Sequence, residues 1–564
     1  MLARADALDA VSAERFDVVV IGGGVTGAGV ALDAASRGYA VALVERDDYA
    51  AGTSSRSSKM VHGGLRYLQS FDLGLVREAL LERQLLVQLA PHLVYPTPFV
   101  VPTLGEDRPS RMLGIGLNMY DVMATTRVGQ ARRERAARQQ AADYWAPDRH
   151  RAIDAAEVAE LLPALAGRDP AGGYLFYDCQ TDDARLVLTI LGEAERFGAV
   201  CVNRAEVTGL VEADGLAAGV ACVDAESGER FEVRADNVVN ATGVWADRIR
   251  PEEIAGEEDV PRIAPSRGTH ITVAGEALPI EAACIVPAGE ERTVFALPWY
   301  GRVLIGTTDN DYEGDLARVS APPEDVAYLL DAVNALFGTT LGPGDVTGAF
   351  AGVRPLISTG DPRKSVDISR RAELYETSSG MLTITGGKLT TWRRMAEQVV
   401  DRMVEREGRI APCRTDDIPL GMVAGERDLD PPEELSEGAL PAGYRELLAF
   451  RYGHAARVVL GLAAEHPELS APIVPGRPDL LAEAALAARL EQARSVADVL
   501  LRRTRLGIVA APQLRTAESV LAIAEAIGRE LGWDRRRIRA EAEAWPAVAE
   551  AEGIDPAKAL SSTA

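Results

Sequence analysis

A run of glycines near the start limits what this chain can fold into. Gly22-Gly23-Gly24-Val25-Thr26-Gly27 stands between the apolar segment 16–21 (FDVVVI) and a helical pattern over 28–38 (AGVALDAASRG) that Gly38 ends. Residues 39–45 (YAVALVE) then read as a second strand, completing a βαβ unit. In such a turn Gly22 permits the tight bend, Gly24 lets a pyrophosphate approach the backbone, and Gly27 lets helix and strand pack closely. The helix start offers free N–H groups and a positive dipole end to phosphates. Glu45 closes the second strand, where a carboxylate accepts hydrogen bonds from ribose hydroxyls. An acid there favours a free 2′-hydroxyl, so FAD or NAD and not NADP; the turn itself does not choose between the two. Ordinary glycine-rich turns share the hexapeptide but lack the combination of strand, helix and terminal acid.

With 564 residues, the chain needs three or four domains or subdomains. Hydrophobic residues make up 47% and charged residues 26%, which excludes wholesale disorder and a multi-pass membrane protein. Helical periodicity covers 73–90, stopped by Pro91, then 112–142 and 185–197; strand-like segments follow to 240, and 261–310 alternates like antiparallel strands. From about 414 alanine- and leucine-rich helices dominate, over 443–465, 479–505, 514–531 and 536–552. Leu486, Leu490, Ala493, Val496 and Leu500 read as one apolar stripe of a single helix. The expected domains are a tail at 1–14 and a discontinuous cofactor domain at 15–105, 180–260 and 345–410. A substrate or cap domain takes 106–179 and 261–344, and a helical domain 415–555, entered through the acidic stretch 425–441. The fold class is α/β (α+β): a Rossmann-like cofactor domain, an antiparallel-sheet substrate domain and an all-helical C-terminal domain.

Charge narrows the functions. Sixty Lys+Arg against 84 Asp+Glu leave a net charge of −24, which disfavours nucleic acid, whose binding depends on neutralising phosphates. An anionic substrate would need a local basic pocket inside a repulsive field. Lys59, Lys364, Lys388 and Lys558 are the only lysines. The five cysteines (Cys179, Cys201, Cys222, Cys284, Cys413) lack metal or disulfide spacing, so no metal site is expected and a reducing cytoplasm fits. The opening residues lack a signal-peptide core and no long apolar run appears, so a cytoplasmic protein is expected, with surface attachment to a membrane left open.

Three further motifs bear on the cofactor. Residues 52–68 (GTSSRSSKMVHGGLRYL) are rich in hydroxyls and glycine, which suits a loop wrapping a flavin. Val238-Val239-Asn240-Ala241-Thr242-Gly243 is a strand ending in a turn. Thr385-Gly386-Gly387-Lys388-Leu389-Thr390-Thr391 is another, leading into a helix whose amides suit the flavin's pyrimidine end. Each alone also occurs as a structural turn; the four in this order point to FAD.

These segments, with YDCQTDDARLVL (177–188), SRGTHI (266–271), LIGTTD (304–309), AGVRPL (351–356), RYG (451–453) and RSVADVLLRRTRLG (494–507), resemble FAD-dependent glycerol-3-phosphate dehydrogenases of the aerobic, respiratory kind over about residues 15–550. The resemblance implies oxidation of sn-glycerol 3-phosphate to dihydroxyacetone phosphate by hydride transfer from C2 to flavin N5, with electrons passed to a quinone. It implies that Arg66, Tyr67 and Lys388 cradle the phosphate and that Arg354 reaches the substrate near the flavin. His270 is the candidate base for the C2 hydroxyl, and Arg354 is suited to stabilising alkoxide charge. The cofactor would be held by Gly22, Gly24, Thr26, Gly27, Glu45, Thr53, Ser54, Ser57, Lys59, His62, Gly63, Gly64, Leu65, Val207, Ala241, Thr242, Gly243, Gly387, Lys388, Leu389 and Thr390. Thr308 and Asp309 would support the site. Trp245, Trp299 and Trp392 are assigned to the core.

Arg132, Arg133, Arg135 and Arg138 form a basic stripe beside the apolar 113–123 segment. It reads either as a solvated helix or as a docking surface for the inner face of the cytoplasmic membrane, and the quinone acceptor favours docking. A homodimer is compatible with this reading. The rivals are an oxidase using oxygen, whose relatives carry an insert absent here, an amino-acid-oxidase-like flavoenzyme, and a flavin-binding scaffold without turnover.

Overall fold

A computed structural model describes residues 1–65, 72–105, 111–125, 149–249, 262–289, 292–358, 372–432, 435 and 440–555. Arg66, Tyr67, the arginine stripe at 132–138, and Lys364 and Lys558 lie outside these residues. The βαβ unit forms as the turn demands: β1 (Arg15–Ile21), a helix at Val25–Ser36 and β2 (Val41–Val44). The helix begins three residues earlier than its apolar periodicity indicates, because Gly24 already serves as its N-cap.

β1 lies at the centre of an eight-stranded sheet. It pairs in parallel with Arg230–Asn240 on one side and β2 on the other. Leu382–Gly386 and Val200–Val202 extend the parallel core outward. Alternate β1 residues serve two cores. Val18 and Val20 pack under the helices Val25–Ser36, Asp183–Arg196 and Trp392–Glu407, while Val19 and Ile21 face the hairpin 205–224. The expected tail at 1–14 is instead a helix, Arg4–Ala13, whose Ala7 and Val11 join that second core. Arg4, also buried, helps dock it, donating to Asn203 O at 3.0 Å and to Asp224.

The second sheet has ten strands. Its longest pair, at one end of the sheet, is Arg262–Ala274 against Val346–Ser358, antiparallel throughout. Met60–Val61, Tyr95–Leu104 and Pro170–Gln180 also belong to it. The cofactor-domain boundaries expected at 105 and 345 therefore move: strands 95–104 and 346–358 hydrogen-bond within the substrate sheet. Strand propensity is local, whereas the choice of sheet is a pairing across many residues.

The C-terminal region is helical, but two expected helices are broken. Residues 443–465 divide at Gly453 (φ 53°) into Tyr444–Tyr452 and Ala456–Glu465. Residues 479–505 do not form one helix: Leu481–Leu490 ends, Gln492 turns left-handed (φ 54°), and Val499–Arg503 is wound as a π-helix. Leu486, Ala493, Val496 and Leu500 are still buried, on several short pieces. Nor does this region have a core of its own. Phe99, Phe176, Leu297 and Leu304 of the second sheet share one apolar cluster with Leu448, Leu460 and Leu500.

The contact is closest at Gly348, where a Cβ would stand 1.6 Å from the Ile508 carbonyl oxygen. Thr272 Oγ1 donates to that same oxygen at 2.9 Å. Gly348→Ala must force the two layers apart, at a cost of about 1–3 kcal/mol or more. Calorimetry should show a lower melting temperature for this variant, and an unchanged one would refute this account of the interface.

Candidate active site

The C-terminal ends of the parallel strands and one face of the second sheet enclose a cavity of about 530 Å³. At one end stands the glycine turn. Gly22 has φ 108°, and a Cβ there would come within 2.8 Å of Ala241 O; a Cβ on Gly27 would sit 1.9 Å from Gly22 O. Gly27 thus works behind the cavity wall, bringing helix and strand together, while Gly22, Gly24 and Thr26 line it. The helix presents its N-terminus here without an acidic residue in its first turn. Ser54 Oγ accepts from Val25 N at 2.9 Å, and Thr53 Oγ1 donates to Val353 O at 2.6 Å, so the 52–58 loop ties turn and second sheet together.

Glu45 lines the same end and accepts from Gly23 N (2.6 Å) and Asp47 N (2.8 Å). Burial raises its pKa, opposed by these two amides. Val207, Ala241, Thr242 and Gly243 also line the cavity. Asn240 shapes their turn, its Oδ1 accepting from Thr242 N (3.2 Å) and Thr242 Oγ1 (2.7 Å). Trp245 corrects its assignment to the core: it lines the cavity, with the Arg46 guanidinium 4.8 Å from its ring centre. Gly52 leaves room for it, since a Cβ there would lie 3.0 Å from the indole.

At the other end are Ser57, His62, Gly387, Lys388, Leu389 and Thr390. Gly386 and Gly387 both take positive φ (76° and 71°), and a Cβ on Gly387 would strike Met395 Sδ at 2.4 Å. Thr390 Oγ1 accepts from His62 N (3.1 Å) and donates to His62 O (3.3 Å), joining two motifs 328 positions apart. Gly63, Gly64 and Leu65 do not line the cavity. Gly63 N donates to Tyr120 Oη at 2.9 Å, and Leu65 packs beside Leu80 and Tyr120.

Lys59 also departs from its expected place. It is fully buried, donating to Ser55 O (2.6 Å) and Asp183 Oδ2 (2.8 Å), with its ammonium 4.5 Å from the Phe350 ring centre. Burial lowers its pKa to about 8, with Asp183 opposing the shift. It supports the loop from behind and does not line the cavity.

The second sheet supplies the remaining wall through its register. His270 lies opposite Phe350, Gly268 opposite Gly352 and Ser266 opposite Arg354. Positions two apart share a face, so His270, Phe350 and Arg354 rise from one side, and the glycine pair between them lets Arg354 lie over Gly268 and Arg56 over Gly352, where a Cβ would stand 2.6 and 2.7 Å from them. His270 stacks on Phe350 (centroids 4.8 Å, interplanar 9°), and its Nε2 meets Ser58 Oγ at 2.9 Å. Burial holds its pKa well below the usual histidine value, helped by the charges of Lys59 and Arg354. Arg354 donates to Asp309 Oδ1 (3.0 Å), Thr307 Oγ1 (3.1 Å) and Thr308 O (3.1 Å), which fixes its direction. Thr308 and Asp309 have the supporting place expected of them.

Sequence reading missed Ser58, Arg56, the Arg46–Trp245 pair and the glycine pair. That pair had a signal: Gly268 and Gly352 each stand two residues before His270 and Arg354.

The site suits FAD on its own geometry. A helix N-terminus without acids meets a glycine turn that no Cβ would fit, an acid closes β2, and the cavity runs on to a second glycine turn at 386–387. Residues 17–393 match the family model described as FAD dependent oxidoreductase, and residues 382–538 match the C-terminal domain of alpha-glycerophosphate oxidase. Glycerol-3-phosphate dehydrogenase 2 of Mycobacterium tuberculosis is 38% identical over 560 residues, covering 98% of this chain and 92% of the relative. Aerobic glycerol-3-phosphate dehydrogenase of Bacillus subtilis is 34% identical over 507 residues, covering 87% of each. Among solved structures, the glycerol-3-phosphate dehydrogenase of Bacillus halodurans complexed with FAD superposes with a TM-score of 0.75 at 27% identity, covering 98% of this chain and 97% of that one. The chain belongs to the FAD-dependent oxidoreductases and, within them, to the glycerol-3-phosphate dehydrogenase family.

Proposed function

We propose that this protein binds FAD and oxidises sn-glycerol 3-phosphate to dihydroxyacetone phosphate, passing the electrons to a quinone. The observation that carries this reading is the placement of His270 and Arg354 on one sheet face, two residues either side of a glycine pair, with Lys388 lining the same cavity. Bound FAD would supply the two-electron acceptor for the hydrogen on C2. Arg354, held by Asp309 and the Thr307–Thr308 turn, places a fixed positive charge where alkoxide charge develops. His270 is neutral near pH 7 and takes the hydroxyl proton, while Lys388 supplies a compact charge for the phosphate dianion. Arg66 and Tyr67 complete the phosphate site in this reading. A few pocket cations thereby serve an anionic substrate inside an acidic protein.

Anaerobic addition of glycerol 3-phosphate should bleach the flavin band of the yellow protein. Bleaching by an amino acid in its place would refute the substrate. Arg354→Ala should keep bound FAD yet reduce it about 10²–10³-fold more slowly, and normal reduction would remove Arg354 from the chemistry.

Protonation of His270 abolishes the base. Because its pKa is depressed, the acid limb of the flavin-reduction rate should fall below pH 6.5, the unshifted histidine value. His270→Asn should lose that limb and about 10²–10⁴-fold in rate. Stopped-flow reduction across pH measures both; a limb at or above pH 6.5 would count against this role.

Among the described residues no helix is long and apolar enough to cross a membrane. The helix Arg111–Thr125 nonetheless has two apolar faces. Leu117, Tyr120 and Ala124 are buried, whereas Met112, Ile115, Met119 and Val122 form an exposed stripe with Met112 79% exposed. The arginines at 127, 132, 133, 135 and 138 follow with only Glu134 against them. This pairing of apolar stripe and basic run supports peripheral docking on an anionic membrane, on its cytoplasmic face, where a quinone is within reach. Vesicles containing phosphatidylglycerol should float the wild type, and not a variant with Arg132, Arg133, Arg135 and Arg138 changed to glutamate. Equal flotation would exclude this surface.

A further inference from the structure

The cofactor-lining loop 48–59 is held at both ends by arginines from outside its domain. At its start, Asp48 is fully buried. Arg503 grips it bidentately (Nη1 to Oδ2 2.8 Å, Nη2 to Oδ1 2.9 Å), and Arg502 Nε adds a bond of 2.5 Å. The residues that follow Asp48 buttress the glycine turn. Ala50 N donates to Gly23 O at 3.0 Å, and Tyr49 packs so closely that a Cβ on Gly23 would lie 2.8 Å from its ring.

Near the loop's other end, the fully buried Arg505 donates to Asp182 Oδ1 (Nε 3.0 Å, Nη2 2.9 Å), to Asp183 Oδ1 and to Ser55 O (3.4 Å). The second oxygen of Asp183 accepts from Ser57 N (3.1 Å), Ser57 Oγ (2.6 Å) and Lys59 Nζ (2.8 Å). Between these anchors lie Thr53, Ser54, Ser57 and Ser58, all lining the cavity. The three arginines reach these targets because their segment is not a regular helix. The π-turn 499–503 carries Arg502 and Arg503 to one carboxylate, and Arg505, left-handed at φ 65°, turns away to the other anchor. π-turns of this kind recur at functional sites.

We propose that Arg502, Arg503 and Arg505 are positioning residues for FAD, through which docking of the helical region and cofactor binding become one coupled equilibrium. None of them lines the cavity; each acts through Asp48 or Asp183. The coupling is reciprocal: a loop fixed by the arginines binds FAD more tightly, and FAD holds the arginine segment in place. The inference rests on the cofactor reading above, and its test separates the two.

FAD affinity of the full chain, stripped and titrated by flavin fluorescence, should weaken at least tenfold in Arg503→Met and less in Arg503→Lys. Val459→Ala is the comparison. Val459 is fully buried in Ala456–Glu465, a helix packed on Leu481–Leu490 rather than on the arginine segment, and its truncation should lower the melting temperature without weakening FAD binding. Should the arginine variants not fold, the wild type suffices: FAD should slow hydrogen exchange of the amides at 499–506. Tight FAD binding by both arginine variants, equal weakening by Val459→Ala, or unchanged exchange at 499–506 would each overturn the proposal. A wild type that takes up no FAD would overturn the cofactor reading, and this proposal with it.

Discussion

The architecture depends on how closely one helix can approach one strand. With 1.9 Å between Gly22 O and the place of a Gly27 Cβ, no larger residue fits at 27 without displacing the helix. That approach puts the helix N-terminus at the carboxyl edge of a parallel sheet. The neighbouring strand brings Ala241 to the same edge, and Leu382–Gly386 brings the second glycine turn. Three stretches far apart in sequence meet there because parallel strands deliver all their carboxyl ends to one side.

Motifs written in backbone geometry were therefore legible. Gly22, Gly27 and Gly387 occupy positions where a side chain would not fit, so the requirement appears as glycine in the sequence. Requirements met by pairing at a distance left no such mark. Nothing local tells that strand 95–104 joins the second sheet, or that Arg505 meets Asp183 across 322 positions. The broken helix over 479–505 was hidden for another reason. Its apolar residues keep helical spacing, and the reversal falls on Gln492, a residue type that gives no warning of a left-handed turn. Trp245 fell between these cases, since an aromatic residue after a strand-end turn serves a core and a cavity wall equally well.

The charge pattern acquires a division of labour. The surface carries the acidity, while the interior uses aspartates as anchors for arginine: Asp48, Asp182, Asp183 and Asp498 are all almost wholly buried and all paired. Buried ion pairs contribute little net stability over apolar packing, but losing one partner is expensive. Their use here is geometric, because a bidentate arginine fixes direction as well as distance. The scarce lysines fit the same logic differently. Lys388 lines the cavity, while Lys59 places a compact ammonium against Phe350 in a fully buried position and bonds Ser55 O and Asp183 from there.

The dispersal of the site along the chain bears on when it can exist. A chain emerges from its N-terminus and folds as its parts become available. The first glycine turn is made within the first 30 residues, but its partner at 386–387 and the arginines at 502–505 come only near the end. Until then Asp48 at one anchor, and Asp182 and Asp183 at the other, have no cation from the helical region to meet them. Loading of the cofactor is therefore a late event in the life of each molecule, and a chain interrupted before residue 502 would carry the recognisable nucleotide turn without the means to hold its loop.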